Sequence, residues 1–213
     1  MKIRLLMITL LLFGCALPVA AALSPDVVAV RTQWEKVKYQ LPKQEREAAF
    51  ERLAARAAQV SAANPGQAEA LVWEAIVLAS KAGEQGGLGA LSLVEQAKAL
   101  LEQAEEIDPA ALDGSIYTSL GSLYYQVPGW PLGFGDDAKA RQYLEKALAL
   151  NPNGIDPNYF YGDFLMDQGD YAGAIKAFDK ALAAPPRPGR ELADAGRRKE
   201  IATARDEAKQ KLK

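Results

Sequence analysis

Four prolines punctuate the chain at a near-regular interval, and each closes a helix-favouring stretch: SAANP at Pro65, EEIDP at Pro109, ALNP at Pro152 and LAAPP at Pro186. The last spacing is 34 residues and the others are 44 and 43, which is the same length with about ten residues inserted. A period in this range means one supersecondary unit used again, and no unit so small hides its apolar face alone. Reading back from each proline, Ala97, Leu101 and Ala104 recur as Ala140, Leu144 and Ala147, then as Ala174, Phe178 and Ala181. Steps of three and four residues place each trio on one face of a helix. The alanines let a second helix approach closely, the large residue fills the gap, and proline ends the run.

The upstream halves of the units agree. Leu120-Gly121 with Tyr124 answers Tyr161-Gly162 with Leu165, and Ala75 and Leu78 hold the matching places in an earlier unit. Alanine is heavily used while threonine is scarce, which favours helix nearly throughout. The fold class expected is therefore all-α, a solenoid of helical hairpins. Repeats are expected over 66–109, 112–152 and 155–186, with loop insertions at 82–94 and 126–135. Before them, Ser24-Pro25-Asp26 is a good helix start, and a degenerate helical pair is expected over 24–64, broken at Leu41-Pro42. Trp34 and Trp73 lie on apolar stripes and are expected in the core. After the repeats, 189–213 carries a modest stripe at Ile201, Ala204, Ala208 and Leu212 among many charges, which suits a solvated C-terminal capping helix.

The last unit, YFYGDFLMDQGDYAGAIKAFDKALAAPP, carries Gly162, Gly169, Tyr171, Ala174, Phe178, Ala181 and Pro186. In these residues it resembles the tetratricopeptide repeat. The resemblance implies a curved stack of hairpins whose first helices line a concave groove that binds extended or helical peptides. On that pattern the groove-facing candidates are Val72 and Ile76 in the first unit, Ser122, Tyr125 and Gln126 in the second, and Tyr159, Asp163 and Met166 in the third. These are mostly hydroxyl, aromatic and acidic side chains, so an apolar or weakly basic ligand is expected there in preference to a carboxylate. Asp163, Asp167 and Asp170 read as a solvated face, because no oxygen-rich loop accompanies them.

One stretch does not fit a plain connection. YYQVPGWPLGFGDD (124–137) puts Trp130 and Phe134 near the tip of a loop, with Pro128 and Pro131 ending one helix and Asp136 or Asp137 capping the next. Exposed aromatic surface invites association. Two readings stand open: Trp130 and Phe134 line a partner or ligand site, or they fold back and plug the adjacent groove. The glycine-rich run 82–94 occupies the equivalent place one unit earlier, as a flexible loop on the same edge.

The N-terminal 1–22 reads as a secretory signal: Lys2 and Arg4, an apolar run from Leu5 to Gly14, then small residues that place a cut after Ala21 or Ala22. The expected location is the periplasm. LFGC also resembles a lipobox, which gives the alternative of a lipoprotein anchored through Cys15, the only route by which a membrane enters the picture. There is no histidine, so the commonest general base and metal ligand is missing, and no nucleophile elbow or paired acid motif appears. No enzyme activity, cofactor or metal is expected. The net charge of −2 gives no basic stripe for nucleic acid.

Signal, degenerate helices and the Gly-Phe-Gly-Asp-Asp insertion before AKARQYLEKAL together resemble the periplasmic T-component proteins of tripartite ATP-independent (TRAP) transporters, most specifically over 133–147. That narrower resemblance implies assembly with a substrate-binding component and the handling of a small ligand. The expectation from the repeats themselves is a scaffold for a protein or peptide partner.

Overall fold

The computed structural model describes residues 23–213; the signal segment and Cys15 lie outside the described residues. Helices α1 (Pro25–Gln40) and α2 (Lys43–Ala63) form a first hairpin. They are followed by α3 (Ala68–Gln85) with α4 (Gly87–Ile107), α5 (Ser115–Gln126) with α6 (Asp137–Leu150), and α7 (Ile155–Asp167) with α8 (Tyr171–Leu182). A last helix, α9 (Glu191–Lys211), packs on α8 and α7 and also reaches α1. The architecture is all-α, a solenoid of helical hairpins.

Local chemistry sets the boundaries. Ser24, Asp136 and Asp170 cap α1, α6 and α8, each accepting a hydrogen bond from a first-turn backbone N–H, at 3.4, 3.0 and 2.9 Å. Of the two candidates at the start of α6, Asp136 is the cap and Asp137 the first helical residue. Within hairpins the small residues do what their spacing predicts. Ala140, Ala147, Ala174 and Ala181 are fully buried. A Cβ on Gly121 would stand 2.6 Å from Leu144, and one on Gly162 would stand 2.6 Å from Phe178, so each glycine lets the facing side chain touch helix backbone.

The run 82–94 is not a loop. Ala82–Gln85 complete α3 and Gly87–Val94 begin α4, with Gly86 and Gly87 at φ 64° and 65° making the whole corner. Two adjacent glycines supply the left-handed backbone at little cost, and Ala82, Glu84, Gln85, Leu88, Ala90, Leu91 and Leu93 around them favour helix. The inserted residues therefore lengthen both helices. Val127–Asp136 does form a loop, held by Gly135 N–H to the Pro128 carbonyl (3.0 Å) and Asp136 N–H to the Tyr124 carbonyl (2.8 Å).

The C-terminal helix is more than a solvated cap. Ile201 and Ala208 are fully buried as the stripe predicts, but Asp194 and Arg197 are buried beside them, and Leu212 is 56% exposed. Gly196 lies against the Tyr39 ring, where a side chain would clash. Tyr39 donates to Glu200 at 3.3 Å, and Arg190 pairs with Glu35 of α1. The segment from Arg187 through α9 thus packs against α1 as well as α7 and α8.

Candidate functional site

The closing segment turns the concave groove into a cavity of about 380 Å³. One wall is aromatic: Trp34 of α1, Trp73 of α3, and Tyr159 and Phe160 of α7. A second wall, from α5, is lined with hydroxyls, including Ser119 and Ser122. The third is charged, and comes from the segment after the repeats: Arg187, Arg190, Arg197 and Glu200, with Asp156 from α7.

Five of the groove candidates meet at this cavity: Ile76, Ser122, Gln126, Tyr159 and Asp163. The others do not line it. Val72 is fully buried in the core, because its face of α3 packs inward, and Met166 is half-buried against the core around Phe164 and Phe178. Tyr125 stands just behind the wall and donates to Asp163 at 2.6 Å. Phe134 folds back edge-on against Tyr124, with centroids 5.5 Å apart, and the Lys98 ammonium sits 5.8 Å from its ring centre. Trp130 neither plugs nor lines the groove: it is 91% exposed at the loop tip, with Leu132 beside it at 68%. The two rings have parted company, one a packing residue and one on the surface. The three aspartates also serve separate ends, Asp163 accepting from Tyr125, Asp167 from Gln168 and Asp170 capping α8.

The charged wall is a chain of shared pairs. Asp156 accepts from Arg187 at 2.7 Å and from Arg197 at 2.8 Å. Arg187 also pairs with Asp194 at 2.7 Å, and Arg197 with Glu200 at 2.7 Å. Burial alone pushes the Asp156 carboxyl up, but Arg197 and Arg187 outweigh it and hold it at about 2. Arg197 lies over the Tyr159 ring at 4.4 Å, and burial pushes that phenol up to about 12. Asp163 is pushed above the usual carboxylate range, first by burial. Arg190 differs from its neighbours. Burial, then the nearby Arg187 charge, bring it below the usual arginine range. Its Nε pairs with Glu35, and its guanidinium lies 5.4 Å from the centre of the Trp73 ring.

Sequence reasoning missed Trp34, Trp73 and the three arginines as cavity residues. The tryptophans are core as expected, at 7% and 4% exposure, but one aspect of each faces the cavity. A signal for the arginines exists: Arg190, Asp194 and Arg197 continue the stripe of Ile201 along α9, placing charge where a cap needs none.

Residues 132–195 match the family described as Tetratricopeptide repeat. The chain carries a tetratricopeptide repeat. That match begins at Leu132, just past the loop tip, and spans α6, the complete hairpin of α7 and α8, and the start of α9. No curated protein matches the chain in sequence. Among solved structures, it is similar to "Crystal structure of MamA" at 20% identity and TM-score 0.45, covering 79% of this chain and 92% of that one. A second, "MamA AMB-1 P212121", gives 19% identity and TM-score 0.46, covering 85% and 95%. A third, "Crystal structure of TTC0263: a thermophilic TPR protein", from Thermus thermophilus, gives 17% and 0.44, covering 84% and 98%. Tetratricopeptide proteins in general bind protein partners, and the matched part of this chain is the hairpin of α7 and α8 with α6 before it.

Proposed function

We propose that the protein is an exported, non-enzymatic tetratricopeptide scaffold that binds a protein or peptide partner in the periplasm. The observation that carries this reading is the loop tip. Trp130 and Leu132 are exposed on a loop that is hydrogen-bonded to itself and packed down through Phe134. An exposed aromatic on a pre-ordered loop gains association energy with little ordering cost. Leu88, 84% exposed on the neighbouring α3–α4 corner, extends the same edge. Export rests on the N-terminal 1–22. The test is capture of partners from the organism's own envelope with the natural protein and with Trp130→Ser/Leu132→Ser. A partner held by the first and lost by the second supports the reading. Equal capture by both refutes the role given to the tip.

A second reading is a small-ligand-handling component of a TRAP-type assembly, partnered by a substrate-binding component. The cavity favours it: about 380 Å³ is within the range of small-molecule sites and too small for a helix. Mass spectrometry of gently purified protein tests it, a stoichiometric co-purified metabolite supporting it and an empty protein counting against it.

A further inference from the structure

The segment that follows the repeats holds the rest of the chain in two different ways. Toward α8 the contact is that of an ordinary end cap: Ile201 and Ala208 are fully buried there, and Arg198 donates to the carbonyls of Leu182 and Ala184. Toward α1, α3 and α7 the contact is made by three arginines. Arg190 pairs with Glu35 of α1 and lies 5.4 Å from the centre of the Trp73 ring of α3. Arg197 reaches Asp156 of α7 at 2.8 Å and lies 4.4 Å from the centre of the Tyr159 ring and 4.9 Å from that of Phe160. Arg187 takes the other oxygen of Asp156 at 2.7 Å. A cap on α8 needs none of these.

Arg190 and Arg197 are received in the same manner, with a carboxylate at the edge of the guanidinium and an aromatic ring on its face. A flat cation meets both demands at once, and a compact ammonium does not. The receiving groups Trp73, Asp156, Tyr159 and Phe160 all line the cavity, so the arginines lie on its wall as a peptide would. Vacating that wall is costly. Glu35 is only 4% exposed, and a buried carboxylate deprived of its cation is strongly destabilising. Whatever replaces the segment must bring cations of its own. The connection also permits exchange. Pro185, Pro186, Pro188 and Gly189 keep the chain after α8 out of any helix, and Gly196 weakens the first turns of α9. Those turns can lift while Ile201 and Ala208 stay on α8.

We propose that this face of α1, α3 and α7 is a docking site for an arginine-bearing segment of a partner protein, and that Arg187–Arg197 fills it in the free protein as an internal competitor. The inference goes beyond the Trp130 tip to a second surface, and it rests on the scaffold reading above. The partner's arginines meet Glu35 with Trp73, and Asp156 with Tyr159. They displace the chain's own, so that the buried carboxylates stay paired in both states.

The probe is a fluorescein-labelled peptide of Pro185–Glu200, PPRPGRELADAGRRKE, with a control peptide carrying lysine at 187, 190 and 197. The full chain with Arg187→Gln, Arg190→Gln and Arg197→Gln has the site emptied. By fluorescence anisotropy it is expected to bind the arginine peptide at least about tenfold more tightly than the natural protein, whose own segment competes at high effective concentration. The lysine peptide is expected to bind that variant at least about tenfold more weakly. Should the triple variant fail to fold by circular dichroism, Arg190→Gln alone decides, since it empties only the place between Glu35 and Trp73. About 10 mM ethylguanidinium is expected to raise its Tm by about 2 °C or more, while ethylammonium does not, and neither compound raises that of the natural protein. Equal binding by natural and triple-variant protein overturns the internal competition. Equal binding of the two peptides overturns the arginine assignment in favour of a general cation site. No peptide binding by a folded triple variant, or no rescue of Arg190→Gln, overturns the docking site. A natural chain that sediments as a dimer, with a triple variant that sediments as a monomer, gives the segment to a second copy and overturns the separate partner. Capture through the Trp130 tip is read independently, so failure here leaves the scaffold reading standing.

Discussion

Replacing Asp156 by asparagine tests the charged wall most directly. The side chain is 28% exposed and serves Arg187 and Arg197 together, the latter only 10% exposed. Its carboxyl is held at about 2 against an ordinary 3.8, so the folded state favours the charged form. The depressed value means the stabilisation is fully present above the unfolded pKa and is lost as pH falls through the folded one. A shift of that size is worth about 2.5 kcal/mol at neutral pH, about 1.3 kcal/mol near pH 3 and about 0.4 kcal/mol near pH 2. An asparagine in that place cannot ionise and so has none of this gain. Urea unfolding of the natural and Asp156→Asn proteins, followed by circular dichroism from neutral pH down to about pH 3, measures the gap, with unchanged m-values confirming that stability alone has moved. A gap of about 2 kcal/mol at pH 7 that halves by about pH 3 is the expected result. A gap that stays constant with pH, or a variant as stable as the natural protein at neutrality, refutes the claim that the arginines depress this carboxyl.

Other outcomes follow from the packing. Phe178→Ala removes a fully buried ring that sits on Gly162, and is expected to cost about 3–5 kcal/mol by urea unfolding. Gly162→Ala forces that same ring to move and is expected to cost about 1–3 kcal/mol, seen as a lowered Tm. Asp170→Ala removes the α8 cap and is expected to cost about 1 kcal/mol, with the loss concentrated in hydrogen exchange of the first turn of that helix. Trp130→Ser is expected to change stability by less than about 0.5 kcal/mol while abolishing most of the acrylamide-quenchable tryptophan emission, since the other two rings are buried.

Much of the hairpin stack is legible in the sequence because its determinants are local. The trio Ala174, Phe178 and Ala181 faces Gly162, and spacing alone places small against large. Capping is similarly readable at Ser24 and Asp170. The run 82–94 reads as a loop only while every glycine counts as a breaker, whereas Gly86 and Gly87 alone need positive φ there. For the cavity, the sequence indicates only the repeat-borne half: Ser122, Gln126 and Tyr159 follow a known periodicity, whereas Arg190 reaches Glu35 across 155 residues that no local pattern connects. Val72 departs from its expected place because its side chain packs fully into the core.

The contact between α1 and α9 bears on how the chain comes apart. An open array frays, shedding its terminal units at low energy while the middle persists. Here neither end is terminal in that sense: peeling off the first hairpin strips Glu35 and Tyr39 from the last helix, and lifting the last helix does the same in reverse. Amides of α1 and α9 therefore exchange with solvent at rates close to those of the middle helices, as the two halves of a clasp open only together.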